Sequence, residues 1–236
     1  MQNPVSDPAK STLTPEKLAR FIDHTLLKPE ATETEIQATC AEARHLNCAT
    51  VCVNSKFIPL ASRLLADSGT LPIAVVGFPL GACATEAKVF ETEWAVRHGA
   101  REIDMVIALG DLLAGRDANV EKDIRAVVRA AGPGVPVKVI LETCLLNDEQ
   151  KRRACRLSVA AGAAFVKTST GFSKGGATAD DIRLMRETVG PDIGVKASGG
   201  IRTREQALAM IEAGASRIGA SASAAILEGT PAAGNY

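Results

Sequence analysis

Short runs of β-branched and aliphatic residues alternate along this chain with longer stretches of amphipathic pattern. The short runs predict strands over Phe21–His24, Thr50–Asn54, Ile73–Gly77, Glu102–Ile107, Val137–Glu142, Phe165–Thr168, Gly194–Ser198 and Arg217–Ala220. The stretches between them open on helix caps: Thr14 before Pro15, Thr32 with Glu35, Asn147 with Gln150, Thr178 before Asp180 and Asp181, and Thr203 with Gln206. At each cap a short side-chain oxygen is placed to accept from an N–H of the first turn that has no partner within the helix. Eight repetitions of strand then helix predict an α/β fold, a (β/α)8 TIM barrel forming a single domain over residues 14–236, with residues 1–13 as a flexible tail.

Several predicted helices end in Gly or Asn followed by a small residue, at Asn47-Cys48, Gly99-Ala100, Gly162-Ala163 and Gly214-Ala215. Such residues tolerate the left-handed backbone that closes a helix. The fifth residue after each is Cys52, Asp104, Lys167 and Gly219, so four residues fall at one depth and parity and are predicted to share a barrel layer. After Gly190 an extra Pro191 intervenes, and the sixth residue, Lys196, is brought by that insertion toward the same layer.

Parallel strands covered by helices should be apolar on both faces, yet these carry Asp104, Lys138, Glu142, Lys167 and Lys196. Parity turns Lys138, Ile140 and Glu142 into the lumen and Val137, Val139 and Leu141 toward the helices. Two readings are open: a paired ion network that only fills the barrel, or a site at the C-terminal ends of the strands. Lysines on neighbouring strands have a specific chemical use, because burial and a nearby cation both oppose protonation and leave an amine able to attack a carbonyl. Asp104 then serves to accept and return protons, to hold a lysine in a salt bridge, or to do both. Cys52, Lys138 and Glu142 are the supporting residues of this lumen.

Glycine-bearing loops follow the last strands: Gly171-Phe172-Ser173-Lys174-Gly175-Gly176, Ser198-Gly199-Gly200, and Gly219-Ala220-Ser221-Ala222-Ser223. Glycine lets backbone N–H groups converge on an anion, and this end of a barrel commonly holds phosphate. Composition narrows the partners further. Of 236 residues 46% are hydrophobic, and 27 basic against 27 acidic side chains give no net charge, so the chain has the core of a globular protein and no basic field for nucleic acid or an anionic membrane surface. Aromatic residues, at 3%, are too few for a platform on which bases stack. The polar start from Met1 to Leu18 holds no apolar signal segment, and the six cysteines form no CxxC pair, which predicts free thiols in the cytoplasm without a disulfide or zinc framework. His24 and His45 have no partner at metal-ligand spacing and are read as packed or solvated residues.

The segments Asp23-His24-Thr25-Leu26-Leu27-Lys28-Pro29, Glu102-Ile103-Asp104-Met105-Val106, Lys138-Val139-Ile140-Leu141-Glu142-Thr143, Phe165-Val166-Lys167-Thr168-Ser169-Thr170-Gly171-Phe172 and Val195-Lys196-Ala197-Ser198-Gly199-Gly200-Ile201-Arg202 resemble the deoxyribose-phosphate aldolase family. The resemblance runs from about Phe21 to Glu228. It implies a class I aldolase that reversibly cleaves 2-deoxy-D-ribose 5-phosphate to acetaldehyde and D-glyceraldehyde 3-phosphate, with neither metal nor cofactor. It implies Lys167 as the Schiff-base lysine, Lys196 as the lysine that tunes it and Asp104 as the proton-relay acid. Substrate or phosphate contacts are implied for Thr168, Thr170, Gly171, Gly175, Gly176, Gly199, Gly200, Gly219 and Ser221, and a homo-oligomer, a dimer, for the assembly. Members commonly end in a tyrosine proposed to help move the enamine proton, and the sole tyrosine here is the terminal Tyr236. One departure concerns the last strand, which in the family often ends in two adjacent serines, whereas here Ser221 is followed by Ala222 and only then Ser223. The alternatives are another phosphate-binding barrel enzyme, such as a sugar-phosphate isomerase or a different lysine aldolase, and a non-catalytic sugar-phosphate sensor.

Overall fold

Each helix start expected from a cap is closed by that residue in the computed structural model, which describes residues 13–230. Thr14 accepts from the Lys17 N–H and Thr178 from that of Asp181, while Thr32, Asn147 and Thr203 complete reciprocal capping boxes with Glu35, Gln150 and Gln206. The helices are α1 (Pro15–Ala19), α2 (Glu33–His45), α3 (Ile58–Leu65), α4 (Thr85–Arg97), α5 (Leu109–Leu113), α6 (Asp117–Ala131), α7 (Asp148–Ala160), α8 (Ala179–Val189), α9 (Arg204–Glu212) and α10 (Ser223–Glu228). The expected helix-closing residues Asn47, Gly99, Gly162 and Gly214 all have positive φ. Of the expected tail, Leu13 lies within the described residues, and its carbonyl accepts from Arg204 at 2.7 Å.

The strands are β1 (Ile22–Leu26), β2 (Thr50–Asn54), β3 (Leu71–Val76), β4 (Glu102–Val106), β5 (Val137–Ile140), β6 (Phe165–Lys167), β7 (Gly194–Ser198) and β8 (Arg217–Ala220), and they pair in parallel in sequence order, with β8 closing on β1. The expected barrel is therefore the fold. β1, β3, β4, β5 and β6 differ from the predicted bounds by one or two residues at one or both ends, and for two of them the cause is plain. β3 begins at Leu71, because Pro72 is accommodated near a strand start, and β5 stops at Ile140, because Glu142 takes a left-handed backbone with φ 57°.

The outward faces supply the main core. Val51, Val53, Ala74, Val76, Ile103, Met105, Val139, Val166, Val195 and Ile218 are buried in one apolar cluster with helix residues such as Ile36, Ile58, Ile124, Ile182 and Ile226. The inward faces are different. Strands tilt in a closed barrel, so each is offset by about one residue from its neighbour and the lumen fills in layers drawn from alternate strands. The pairing register places Cys52, Asp104, Lys167 and Gly219, from the even strands, in one layer, as expected. It places Asp23, Ile73, Lys138 and Lys196, from the odd strands, in the layer beneath, and Thr50, Glu102, Phe165 and Arg217 below that as a floor. Lys196 is thus not in the layer of Lys167. Residues of adjacent strands cannot share a layer in this barrel, whatever one inserted proline does to the spacing.

Outside the lumen, the ammonium of Lys88 on α4 is buried against Asp123 of α6 at 2.6 Å and donates to the Val106 carbonyl at the end of β4 at 3.0 Å. Thr85 donates to the other Asp123 oxygen at 2.8 Å. Removing one partner would leave a fully buried charge unpaired, so Asp123→Ala is expected to destabilise the fold by about 3–5 kcal/mol, whereas Lys88→Met combined with Asp123→Leu should recover most of the loss. Denaturant unfolding of the three proteins checks the ordering.

Candidate active site

The charges singled out on the strands meet in the lumen. Lys167 donates to Asp104 Oδ2 at 2.7 Å, Lys196 donates to the same oxygen at 2.7 Å, and Lys138 donates to Oδ1 at 3.0 Å. Lys196 also lies 2.5 Å from Asp23 Oδ2, and Asp23 Oδ1 accepts from Thr50 at 2.6 Å and Arg217 at 2.7 Å. Lys138 pairs in addition with Glu102, which itself faces Arg217 at 3.3 Å. Seven ionisable side chains therefore form one connected network.

Position within this network separates the two lysines of β6 and β7. Burial pushes both toward the neutral amine. Lys196 sits between the carboxylates of Asp104 and Asp23, which overcome burial and hold its ammonium above the ordinary lysine range. Lys167 is lowered: burial depresses it most, Asp104 opposes, and the Lys196 cation depresses it further. Burial raises the Asp104 carboxyl, but Lys138, Lys167 and Lys196 together hold it well below the usual carboxylate range. The arrangement thus pairs a lysine inclined to lose its proton with a base held ionised and a second lysine held charged.

Lys167 also reaches a cavity of about 280 Å³ at the C-terminal ends of β1, β6, β7 and β8. Thr170, Gly171, Gly199, Gly200, Gly219 and Ser221 line it, as does Arg202, so most of the glycine-loop residues expected at the site converge there. Gly219 permits a close approach, since an added Cβ would lie 2.2 Å from Ser198 Oγ and 3.1 Å from Lys196 Cε.

Other expected contacts brace the site from outside the cavity. Gly176 packs against the next loop, where an added Cβ would fall 2.2 Å from the Gly199 carbonyl oxygen, and Gly175 packs against Cys144. Thr168 is buried, donating to the Ser198 carbonyl at 3.1 Å and accepting from the Ser198 N–H at 3.0 Å. Glu142, expected beside Lys138, leaves the lumen where its backbone turns left-handed, and its carboxylate accepts from Thr170 Oγ1 at 2.5 Å. Thr170 Oγ1 in turn accepts from the Phe172 N–H at 3.0 Å. Cys52 is fully buried among Leu27, Ile73 and Val75, and burial pushes its thiol up to about 11. Tyr236 lies outside the described residues.

Sequence reasoning missed Asp23, Glu102 and Arg217 in the network and Thr25, Leu27, Phe172 and Ile201 around the cavity. A signal was present for two of them: Glu102 and Arg217 stand two residues before Asp104 and Gly219 and so share their inward face. Ser221 lines the cavity, whereas Ser223 is buried with its Oγ 2.7 Å from His24 Nδ1, and His24 Nε2 lies 3.5 Å from Glu42. His24 is thus a packed residue. Among the described residues no group of three His, Cys, Asp or Glu is arranged to hold a metal ion.

Fold and cavity together define a (β/α)8-barrel enzyme whose site opens at the C-terminal ends of its strands. The chain belongs to the DeoC/LacD family of aldolases, whose sequence pattern matches residues 17–232. A deoxyribose-phosphate aldolase of Bacillus cytotoxicus is 60% identical over 210 residues, covering 89% of this chain and 94% of that protein. Deoxyribose-phosphate aldolase 1 of Bacillus licheniformis is 58% identical over 221 residues, covering 94% and 99%. Among solved structures, the deoxyribose phosphate aldolase of Aeropyrum pernix, described as a tetramer, superposes with a TM-score of 0.85 at 34% identity over 91% of both chains.

Ser221→Ala is expected to weaken inhibition by inorganic phosphate by roughly 3–10-fold through loss of one hydroxyl donor. Ser223→Ala should leave phosphate inhibition in place and lower stability by about 1 kcal/mol, because it loses the His24 contact instead. Inhibition constants and unfolding midpoints of the two variants check the division.

Proposed function

We propose that this aldolase reversibly cleaves 2-deoxy-D-ribose 5-phosphate to acetaldehyde and D-glyceraldehyde 3-phosphate through a Schiff base on Lys167. The observation that carries the reading is the position of Lys167, 2.7 Å from Asp104 and opening onto the cavity that the glycine loops line. The phosphate is assigned to the backbone and Ser221 side of that cavity, with Arg202 supplying positive charge. The sugar aldehyde then faces the amine.

In this reading the Lys167 lone pair adds to the C1 carbonyl of the open-chain sugar. The carbinolamine takes a proton on its hydroxyl and loses water, leaving an iminium cation. The proton of the C3 hydroxyl is withdrawn, its O–H electrons become the new C3 carbonyl, and the C2–C3 bonding pair moves into the iminium. Glyceraldehyde 3-phosphate leaves, and a neutral enamine of acetaldehyde remains on Lys167. Protonation at C2 regenerates an iminium, water adds, and acetaldehyde departs as the amine re-forms. Asp104, ionised and held by three lysines, is the group placed to take and return these protons, directly or through water. Lys196 supplies the fixed positive charge that keeps Lys167 available as the free base. Tyr236 is carried as a further proton-transfer residue on the family resemblance alone. For its setting we propose a homo-oligomer in the cytoplasm; no described helix is long and apolar enough to cross a membrane.

Sodium borohydride with acetaldehyde should add one two-carbon unit to Lys167, and Lys167→Ala should abolish both adduct and turnover, because no other residue supplies the covalent electron sink. Peptide mapping of the adduct to Lys196, or full turnover without Lys167, would refute the assignment. Lys196→Met should fold but move the acid limb of the pH–rate profile upward by about one to two units, since Lys167 then holds its proton more firmly. A profile superimposable on that of the parent enzyme would exclude the electrostatic role of Lys196.

A further inference from the structure

Beneath the cavity the ion network continues toward the N-terminal ends of the strands through two residues that do not line the cavity. Glu102 and Arg217 belong to the floor layer with Thr50 and Phe165. The Arg217 guanidinium lies 2.7 Å from Asp23 and 3.3 Å from Glu102, and Glu102 also pairs with Lys138. Arg217 and Lys138 lie 5.5 and 5.6 Å from the centre of the Phe165 ring. Neither Glu102 nor Arg217 lines the cavity. Each is joined to the reacting amine through intermediates: Arg217 through Asp23 and Lys196 to Asp104, and Glu102 through Lys138 to Asp104.

The charged and titratable groups around Lys167 come from six strands. They are Asp23 of β1, Cys52 of β2, Glu102 and Asp104 of β4, Lys138 of β5, Lys196 of β7 and Arg217 of β8, while Glu142 at the end of β5 is turned to Thr170. Counted at formal charge, the four cationic side chains Lys138, Lys167, Lys196 and Arg217 face the three carboxylates Asp23, Glu102 and Asp104, and 4 − 3 leaves one positive charge in excess. An excess charge in a buried lumen is costly and is relieved by losing a proton. Lys167 is the one cation of the four that reaches the cavity, so the release falls to it.

We propose that Glu102 and Arg217 are positioning residues that set the charge balance of the lumen and thereby decide how readily Lys167 becomes a free amine. The inference rests on Lys167 being the Schiff-base lysine. Deleting the Arg217 charge leaves three cations against three carboxylates, and Lys167 keeps its proton. Deleting the Glu102 charge leaves four against two, and Lys167 sheds its proton more readily. Deleting both restores an excess of one. The single substitutions act in opposite directions and cancel in combination, a pattern that a packing role would not produce.

The test is borohydride trapping of acetaldehyde by the full chain across a pH series, read by intact mass and peptide mapping. The parent protein is compared with Arg217→Met, Glu102→Gln and the double variant, with Lys167→Ala as control. The pH of half-maximal trapping should rise by about one unit in Arg217→Met, fall by about one unit in Glu102→Gln, and return to within about 0.3 unit of the parent in the double variant. An adduct that is absent from the parent or maps away from Lys167 overturns the proposed function itself. An adduct on Lys167 whose midpoint stays fixed, or shifts the same way in both single variants, overturns the charge-balance inference alone. Should Arg217→Met fail to fold, Arg217→Lys replaces it: it keeps the count and should trap like the parent while Glu102→Gln does not, and a fall in midpoint shared by Arg217→Lys and Glu102→Gln overturns the inference.

Discussion

Asp104 accepts from three lysines at once, with Lys167 and Lys196 converging on the same oxygen at 2.7 Å. None of these groups would be ionised in the lumen by itself, since a carboxylate or ammonium removed from water without a partner loses its charge instead. Together they sustain one another, and the inequality between them is what matters chemically. Lys196 has a second carboxylate in Asp23, whereas Lys167 has only its share of Asp104. The same burial therefore stabilises charge on one lysine and undermines it on the other. A lysine inclined to lose its proton beside a fixed cation results from where the carboxylates stand, with no need for an unusual lysine.

The cavity above this network is built from loops that brace one another. Thr168 ties β6 to Ser198 of β7, Gly176 lets its backbone rest against Gly199, and the Glu142 carboxylate grips Thr170, whose hydroxyl holds the Phe172 N–H. These contacts are made by side chains or by the absence of one, and none of the three anchoring residues, Thr168, Gly176 and Glu142, faces the cavity. The lining of the mouth is thus held from behind, by residues that do not themselves line it.

Much of this could be read from the residues because barrel strands obey strict parity. The caps at Thr14, Thr32, Asn147, Thr178 and Thr203 marked helix starts, and the distance from each helix-closing residue put Cys52, Asp104, Lys167 and Gly219 at one level. What escaped was set by features that parity does not encode. Strand tilt interleaves odd and even strands, so Lys196 contacts Asp104 from the layer below. Glu142 has the parity of Lys138 but sits past the last paired residue, where a left-handed turn redirects it. Gly175 and Gly176 resemble Gly171 and Gly200 in sequence, and only the path of the loop decides which of them meet the cavity and which meet neighbouring backbone or Cys144.

The floor of the barrel has a bearing on traffic. Phe165 fills the space beside Gly194, where an added Cβ would lie 2.0 Å from the ring, and Arg217 and Glu102 occupy the remaining positions of that layer with Thr50. These side chains plug the lumen at that level, while the cavity that Lys167 reaches lies at the opposite end of the strands. If the proposed Schiff base forms on Lys167, both products have the same mouth to leave by, and the fragment bonded to the amine is the one at the inner end of that route.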